Sequence, residues 1–194
     1  MNIGIDVDGT LIDIGKYMLE KGEKYFHRAA SDPAAFDIEQ MFACTHKERN
    51  RFWARYLLPY CIKSPMIDGA GKTIRQLRAD GHKIFMVTSR VYTTRTDLFG
   101  ALFRTILVRW LKKRGVIYDG IVFCEDSGEA KSEQCQKLEI NIMIDDKPDN
   151  LMAISRHCSV IACPAPWNKG IADKGVVRAE NWADIYDIIT GGQT

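Results

Sequence analysis

The run that most limits what this chain can become is NIGIDVDGT, Asn2–Thr10. Ile3, Ile5 and Val7 alternate with Gly4 and two carboxylates, Asp6 and Asp8, before Gly9-Thr10 breaks the pattern. Alternation of that length predicts a strand closing in a tight turn. In an open parallel sheet, ligands gather beyond the carboxyl ends of the strands. Asp6 and Asp8 are therefore expected at a sheet rim, two residues apart and on the same side. Carboxylates that close repel unless a cation or a shared proton relieves them, and hard oxygen donors suit magnesium. A calcium loop of the EF-hand kind is excluded, because its required glycine and glutamate would fall at Leu11 and Tyr17.

An isolated acidic pair serves equally well to cap the helix that follows. What tips the balance is a second pair near the far end of the chain. In NIMIDDKPDN, Asn141–Asn150, Asp145 and Asp146 follow the apolar Ile142, Met143 and Ile144. One strand ending in carboxylates is ordinary, while two make a site.

Between these ends the pattern changes twice. Residues 12–64 lose the strand signal, and Ile14, Tyr17, Met18, Leu19, Tyr25 and Phe26 recur at helical spacing. After the turn Ser31-Asp32-Pro33, a second helical stretch carries Phe42, Phe52, Trp53, Tyr56 and Leu57 and is expected to stop near Pro59. This segment reads as a small helical insertion over the strand ends, most of its aromatics forming their own core. From Ile67 an α/β rhythm returns, with a helix burying Ile74 and Leu77 and stopping at Gly81. GAGKT is not a phosphate-binding P-loop, because the first glycine of that motif would fall at Met66 and no apolar strand precedes it. Lys83–Ser89 is a continuous apolar run ending in hydroxyls, as in a buried parallel strand, and places Thr88 and Ser89 at the same rim. Hydroxyls and loop amides there can donate to a phosphate oxygen. Arg90 and Arg95 follow and are placed to touch an anion, with solvated surface as the default for each. A long helix over 96–114 is expected to bury Leu98, Leu102, Ile106, Trp110 and Leu111, and strands over 120–124 and 159–163 and a helix over 181–189 complete the chain. Lys131 opens a short helix leading into the Asp145 strand, where it can hold clustered carboxylates in check. Lys137 is the weaker candidate for that task.

At 194 residues and 46% hydrophobic, the chain can build one good core with a small appended lobe. A net charge of +2 gives no electrostatic footprint for a nucleic-acid polymer. No signal peptide and no apolar stretch near the ~20 residues of a membrane span is evident. The six cysteines include no CxxC pair and read as reduced thiols, so a cytoplasmic location is expected.

Asp6-x-Asp8-Gly-Thr, a strand ending in Thr88, then Lys131, then Asp145-Asp146 resembles the ordered motif set of the haloacid-dehalogenase superfamily. More narrowly, IDVDGT, VTSR, MIDDKPDN, PWNKGI and RAENWADIYDII are similar to the 5′(3′)-deoxyribonucleotidases and their bacterial relatives. The resemblance implies an α/β fold: a Rossmann-like, mostly parallel sheet with helices on both faces. It also implies a catalytic core over 1–11 and 65–194 and a helical cap over 12–64 inserted after the first strand. It further implies a Mg2+-dependent phosphatase acting on a small phosphate monoester, a (deoxy)nucleoside monophosphate first, with a sugar phosphate or other metabolite as the alternative substrate and a non-catalytic metabolite-binding protein as the remaining reading. Asp6 would be the nucleophile and Asp8 the acid–base. Asp6, the backbone carbonyl of Asp8, and Asp145 would hold the metal, with Asp146 and Asp149 behind them. Thr88, Ser89 and Lys131 would hold the phosphate. Lys147 stands where arginine is expected in the mammalian members. No membrane partner is expected, and a homo-oligomer is compatible with the sequence.

Overall fold

The computed structural model describes residues 1–171 and 175–191. Six strands form one sheet: β1 (Asn2–Ile5), β2 (Lys83–Thr88), β3 (Gly120–Phe123), β4 (Ile142–Asp145), β5 (Ser159–Ala162) and β6 (Val176–Arg178). Their order is β3-β2-β1-β4-β5-β6, and every pairing is parallel. Among the described residues eight α-helices accompany them: α1 (Ile14–Phe26), α2 (Ile38–Phe42), α3 (His46–Lys63), α4 (Ala70–Ala79), α5 (Leu98–Lys113), α6 (Gly128–Lys137), α7 (Pro148–Ile154) and α8 (Trp182–Thr190).

Strand periodicity divides the core into two layers. Ile3, Ile5, Ile84, Met86, Ile144 and Ile161 point to one face, where α4, α5 and α8 cover them with Ile74, Leu77, Phe103, Leu107, Trp110 and Ile185. Val87, Met143, Val160 and Ala162 point to the other, against Cys135 of α6 and Leu151 and Ile154 of α7. The sheet is thus an α/β sandwich with helices on both faces, and its central strands β2, β1 and β4 end together at one rim.

Helices α1–α3 lie between β1 and α4 and build a separate apolar cluster of Met18, Ile38, Met41, Phe42 and Phe52. Phe26 stacks on Phe42 and Phe52, at centroid distances of 5.1 and 6.1 Å. Asp37 and Thr45 cap α2 and α3, the latter through a reciprocal box with Glu48.

Four expectations need correction. The strand pattern expected to run up to the Gly9-Thr10 turn shortens to β1, although the Asp6 amide still donates to the Ile144 carbonyl at 3.0 Å. Pro59 does not end its helix. A proline inside a helix costs roughly 3 kcal/mol, but α3 continues because Tyr60 and Cys61 beyond it are buried in the main core. In the turn before Pro59, the Tyr17 hydroxyl donates to the Tyr56 carbonyl at 2.9 Å. Helix α5 turns inward on Phe103, Leu107, Trp110 and Leu111, leaving Leu98 and Leu102 exposed. Its first half is apolar on several sides, so spacing alone does not choose a face. Packing on the main core does, with Trp110 Nε1 also donating to the Ser64 carbonyl at 2.9 Å. The three-residue edge strand β6 was not anticipated, being too short to show a period.

Candidate active site

The rim where β1, β2 and β4 end opens into a cavity of about 450 Å³. Asp6, Asp8, Thr88, Arg90, Lys131, Asp146 and Asn150 line it, as do Phe36, Trp53, Tyr92, Asp126 and Lys147. Residues from opposite ends of the chain meet there. Lys131 Nζ donates to Asp6 Oδ1 and to Asp145 Oδ2, both at 2.7 Å. All three side chains are almost wholly buried. The position follows from α6, whose Ser127 cap starts the helix so that Lys131 projects beneath β1 and β4. Lys137 instead pairs with Glu133 on the surface.

Asp145 ends β4 and Asp146 starts the turn into α7, with Pro148 at the first helical position. The Asn150 amide donates to both Asp145 oxygens, at 3.2 and 3.1 Å. Asp146 accepts from Trp167 Nε1 at 3.0 Å and from the Thr10 hydroxyl at 3.3 Å. Gly9 has φ +92°, and a Cβ there would overlap the Asp146 carboxylate at about 2.1 Å, so only glycine lets the two segments close on each other. Among the described residues, Asp6, Asp145 and Asp146 bring carboxylate oxygens within 4.8 Å of one another.

Asp8 belongs to a different neighbourhood. Its oxygens accept from Arg90 Nε at 2.9 Å, from Arg90 Nη2 at 2.5 Å and from the Tyr60 hydroxyl at 2.5 Å. The repulsion between the two neighbouring carboxylates is therefore answered by two resident cations, Lys131 for Asp6 and Arg90 for Asp8. Burial pushes Asp6 up to about 7; the Asp145 and Asp8 charges add to this and Lys131 offsets part of it. Burial opposes the charge of Asp8 too, yet Arg90 and the Tyr60 hydroxyl outweigh it and hold that carboxyl below its usual range. Burial beside Asp145 and Asp6 holds Asp146 well above the carboxylate range. Lys131 is held above the usual lysine range because its two carboxylates overcome the effect of burial.

Thr88 is fully buried at the end of β2 and faces the cavity. Ser89 also lines it, but its hydroxyl donates to the Glu125 carbonyl at 3.1 Å. Asp149 corrects an expectation: it is exposed on the first turn of α7, and the residue braced against Asp145 is Asn150. Helical spacing explains this, since one position along α7 turns the side chain by about 100°. Arg90 was expected on the surface and is buried, whereas Arg95 is exposed and pairs with Asp97. A basic residue directly after a rim strand was the available hint. Nothing local marked Tyr60. The late motifs have structural tasks. Asn168 bridges the Asp146 and Cys163 carbonyls at 2.7 and 2.8 Å, Asn181 caps α8, and Trp182 fills the core. Of the aromatics in the 12–64 segment, Phe26, Phe42 and Phe52 form their own core as expected, while Trp53 and Phe36 reach the cavity.

All six cysteines are unpaired, and among the described residues no helix is long and apolar enough to cross a membrane. A protein of Chlorobaculum tepidum, provisionally named a 5′(3′)-deoxyribonucleotidase, is 25% identical over 96% of this chain and 89% of its own. A nucleotidase of Clostridium acetobutylicum is 24% identical over 97% and 93%. Among solved structures, D,D-heptose 1,7-bisphosphate phosphatase from B. bronchiseptica, complexed with magnesium and phosphate, shares the fold at 13% identity. It covers 99% of each chain with a TM-score of 0.57. A haloacid dehalogenase-like hydrolase from Xanthomonas campestris superposes with a TM-score of 0.62 at 12% identity over 98% and 95% of the two chains. With residues 1–193 matching its family model, the chain belongs to the 5′ nucleotidase, deoxy (Pyrimidine), cytosolic type C protein family, a family of phosphoric monoester hydrolases.

Proposed function

We propose that this protein is a Mg2+-dependent phosphatase that hydrolyses a (deoxy)nucleoside monophosphate through an aspartyl-phosphate on Asp6. The observation that carries this reading is the meeting of Asp6, Lys131 and Asp145 at 2.7 Å contacts, with Asp146 beside them and Thr88 on the same cavity. Three buried carboxylates against one lysine leave an excess of negative charge, which fits a hard divalent cation. Asn150 Oδ1, buried without a hydrogen-bond partner in the cavity wall, is a further oxygen of the right kind. Asp6, Asp145 and the Asp8 backbone carbonyl would hold the ion, with Asp146 close by. When bound, it would neutralise charge spreading over the transferring phosphoryl group.

Asp6 attacks phosphorus and the bond to the leaving alcohol breaks, splitting one hard step into two. Asp8 gives a proton to the leaving oxygen and then takes one from the water that releases phosphate. Lys131 and Thr88 hold phosphoryl oxygens, and Lys131 keeps the Asp6 carboxylate in place. Helices α1–α3, within 12–64, act as a cap over a core made of 1–11 and 65–194. Trp53 of α3 and Phe36 of the segment between α1 and α2, with Tyr92 of the core, line a cavity whose volume suits a small ligand bearing a flat ring. The unpaired thiols suit a reducing, cytoplasmic setting.

The test is a panel of monophosphates with and without chelator. Hydrolysis of dUMP or UMP ahead of sugar phosphates, lost with chelator and restored by Mg2+, is expected. Sugar phosphates exceeding both nucleotides by a wide margin would overturn the nucleotide assignment, and full activity in chelator would overturn the metal requirement.

A further inference from the structure

The acid–base scheme leaves the arginine beside Asp8 without a task, although it is one of the most deeply buried charges in the molecule. Its side chain is 1% exposed, against 21% for Asp8, so Asp8 faces the open part of the cavity with Arg90 behind it. The contact is side-on, Nε to Oδ2 and Nη2 to Oδ1. Such a fork fixes the plane of a carboxylate as well as its charge. The Tyr60 hydroxyl adds a second donor to Oδ1, and its ring centroid lies 5.6 Å from the guanidinium. Oδ1 thus accepts two hydrogen bonds and Oδ2 one. A carboxylate offers about four lone-pair sites, so Oδ2 keeps one site free for the proton that Asp8 passes to the leaving oxygen.

The arginine is itself braced. Its amide donates to the Thr88 hydroxyl at 3.3 Å, its carbonyl accepts from the Thr93 hydroxyl at 2.6 Å, and Arg104 holds the Thr93 carbonyl at 2.7 Å. The third nitrogen, Nη1, is buried without a partner. An orphaned buried donor of that kind asks for an explanation beyond stability. A surface salt bridge would need none of this.

We propose that Arg90, backed by Tyr60, is the positioning residue that holds the Asp8 carboxylate with Oδ2 turned to the leaving-group oxygen of the substrate. The proposal rests on the acid–base role of Asp8 given above. It predicts a dependence on the leaving group, because nitrophenolate departs without a proton whereas the alkoxide of a nucleoside does not. Comparing kcat/KM for dUMP and p-nitrophenyl phosphate isolates the first chemical step.

Arg90→Lys keeps the charge and loses the fork. It is expected to lower kcat/KM for dUMP roughly 10- to 100-fold, within the usual span of general acid catalysis, and that for p-nitrophenyl phosphate less than about threefold. Inhibition by inorganic phosphate should not change. Tyr60→Phe should show the same selectivity with a smaller loss, and it decides the matter if the lysine variant does not fold. Equal losses on both substrates with weaker phosphate inhibition would assign Arg90 to phosphate binding and overturn the proposal. So would unchanged kinetics with a lower Tm. Asp6→Asn is the arm that tests the underlying scheme. Retained activity there overturns both, whereas an inactive Asp6→Asn with leaving-group-independent losses overturns the positioning role alone.

Discussion

Asp6 and Asp8 stand two residues apart in one turn, yet the fold treats them in opposite ways. Asp6 shares one lysine with Asp145 and sits near Asp146, and burial in that acidic company lifts it to about 7. Asp8 has an arginine fork and a tyrosine hydroxyl to itself and is held below the usual carboxylate range. In the metal-free protein this order is the reverse of what a nucleophile at Asp6 and a proton donor at Asp8 require; a divalent cation on the acidic side would favour the ionised Asp6, and an anionic phosphate beside Asp8 would favour its protonated form. The acidic side is built for a cation and a phosphoryl group, and the arginine side for orienting a proton carrier.

The sharpest way to break the comparison is to neutralise the acidic side. Asp6→Asn should reduce kcat at least about 10³-fold if this oxygen is the nucleophile, while a surface control such as Asp187→Asn should leave it unchanged. Steady-state phosphate release measures both. Next in size is Lys131→Met, which strands three buried carboxylates. Breaking a buried pair costs roughly 3–5 kcal/mol, so Tm should fall steeply, with partial recovery on adding Mg2+ or on lowering the pH enough to protonate the cluster. A Tm unchanged from wild type would show that the lysine is not what holds the acidic side together.

A third measurement concerns protons. In the metal-free protein Asp6 is raised to about 7, so a proton competes with the cation. Affinity for Mg2+ should decline as pH falls through 7, and binding near that pH should release protons, seen as a buffer-dependent heat in calorimetry. Affinity flat between pH 6 and 8 would contradict the raised carboxyl. The smallest effect is expected from Trp167→Phe, which removes one donor to Asp146 while Thr10 remains. A stability loss of about 1 kcal/mol by denaturant titration is the expectation for one such bond.

The sheet and its rim were legible because both rest on local pattern. Alternation before Asp6 and apolar runs before Thr88 and Asp145 predict strands, and a strand end is where an open parallel sheet binds its ligand. Even the candidate lysine could be named from its place ahead of the β4 strand. Less was visible where two local signals conflicted. Pro59 argued for a helix end, and burial of Tyr60 overruled it. Leu98 and Leu102 suited one face of α5 and Phe103 and Leu107 another, and packing against the main core, with Trp110 bonded to Ser64, decided between them. Asp149 and Asn150 both follow the acidic pair, and only the phase of α7 turns Asn150 toward it.

By itself the sequence determined the α/β class, the rim of the sheet and the carboxylates standing on it. Those are properties of short windows, governed by backbone period and residue type. The tertiary structure decided which cation answers which carboxylate. Lys131 reaches Asp6 across 125 residues and Arg90 reaches Asp8 across 82. Contacts of that span depend on how strands order and helices rotate, and on burial that makes an unpaired charge too costly to leave alone. No local period carries that information.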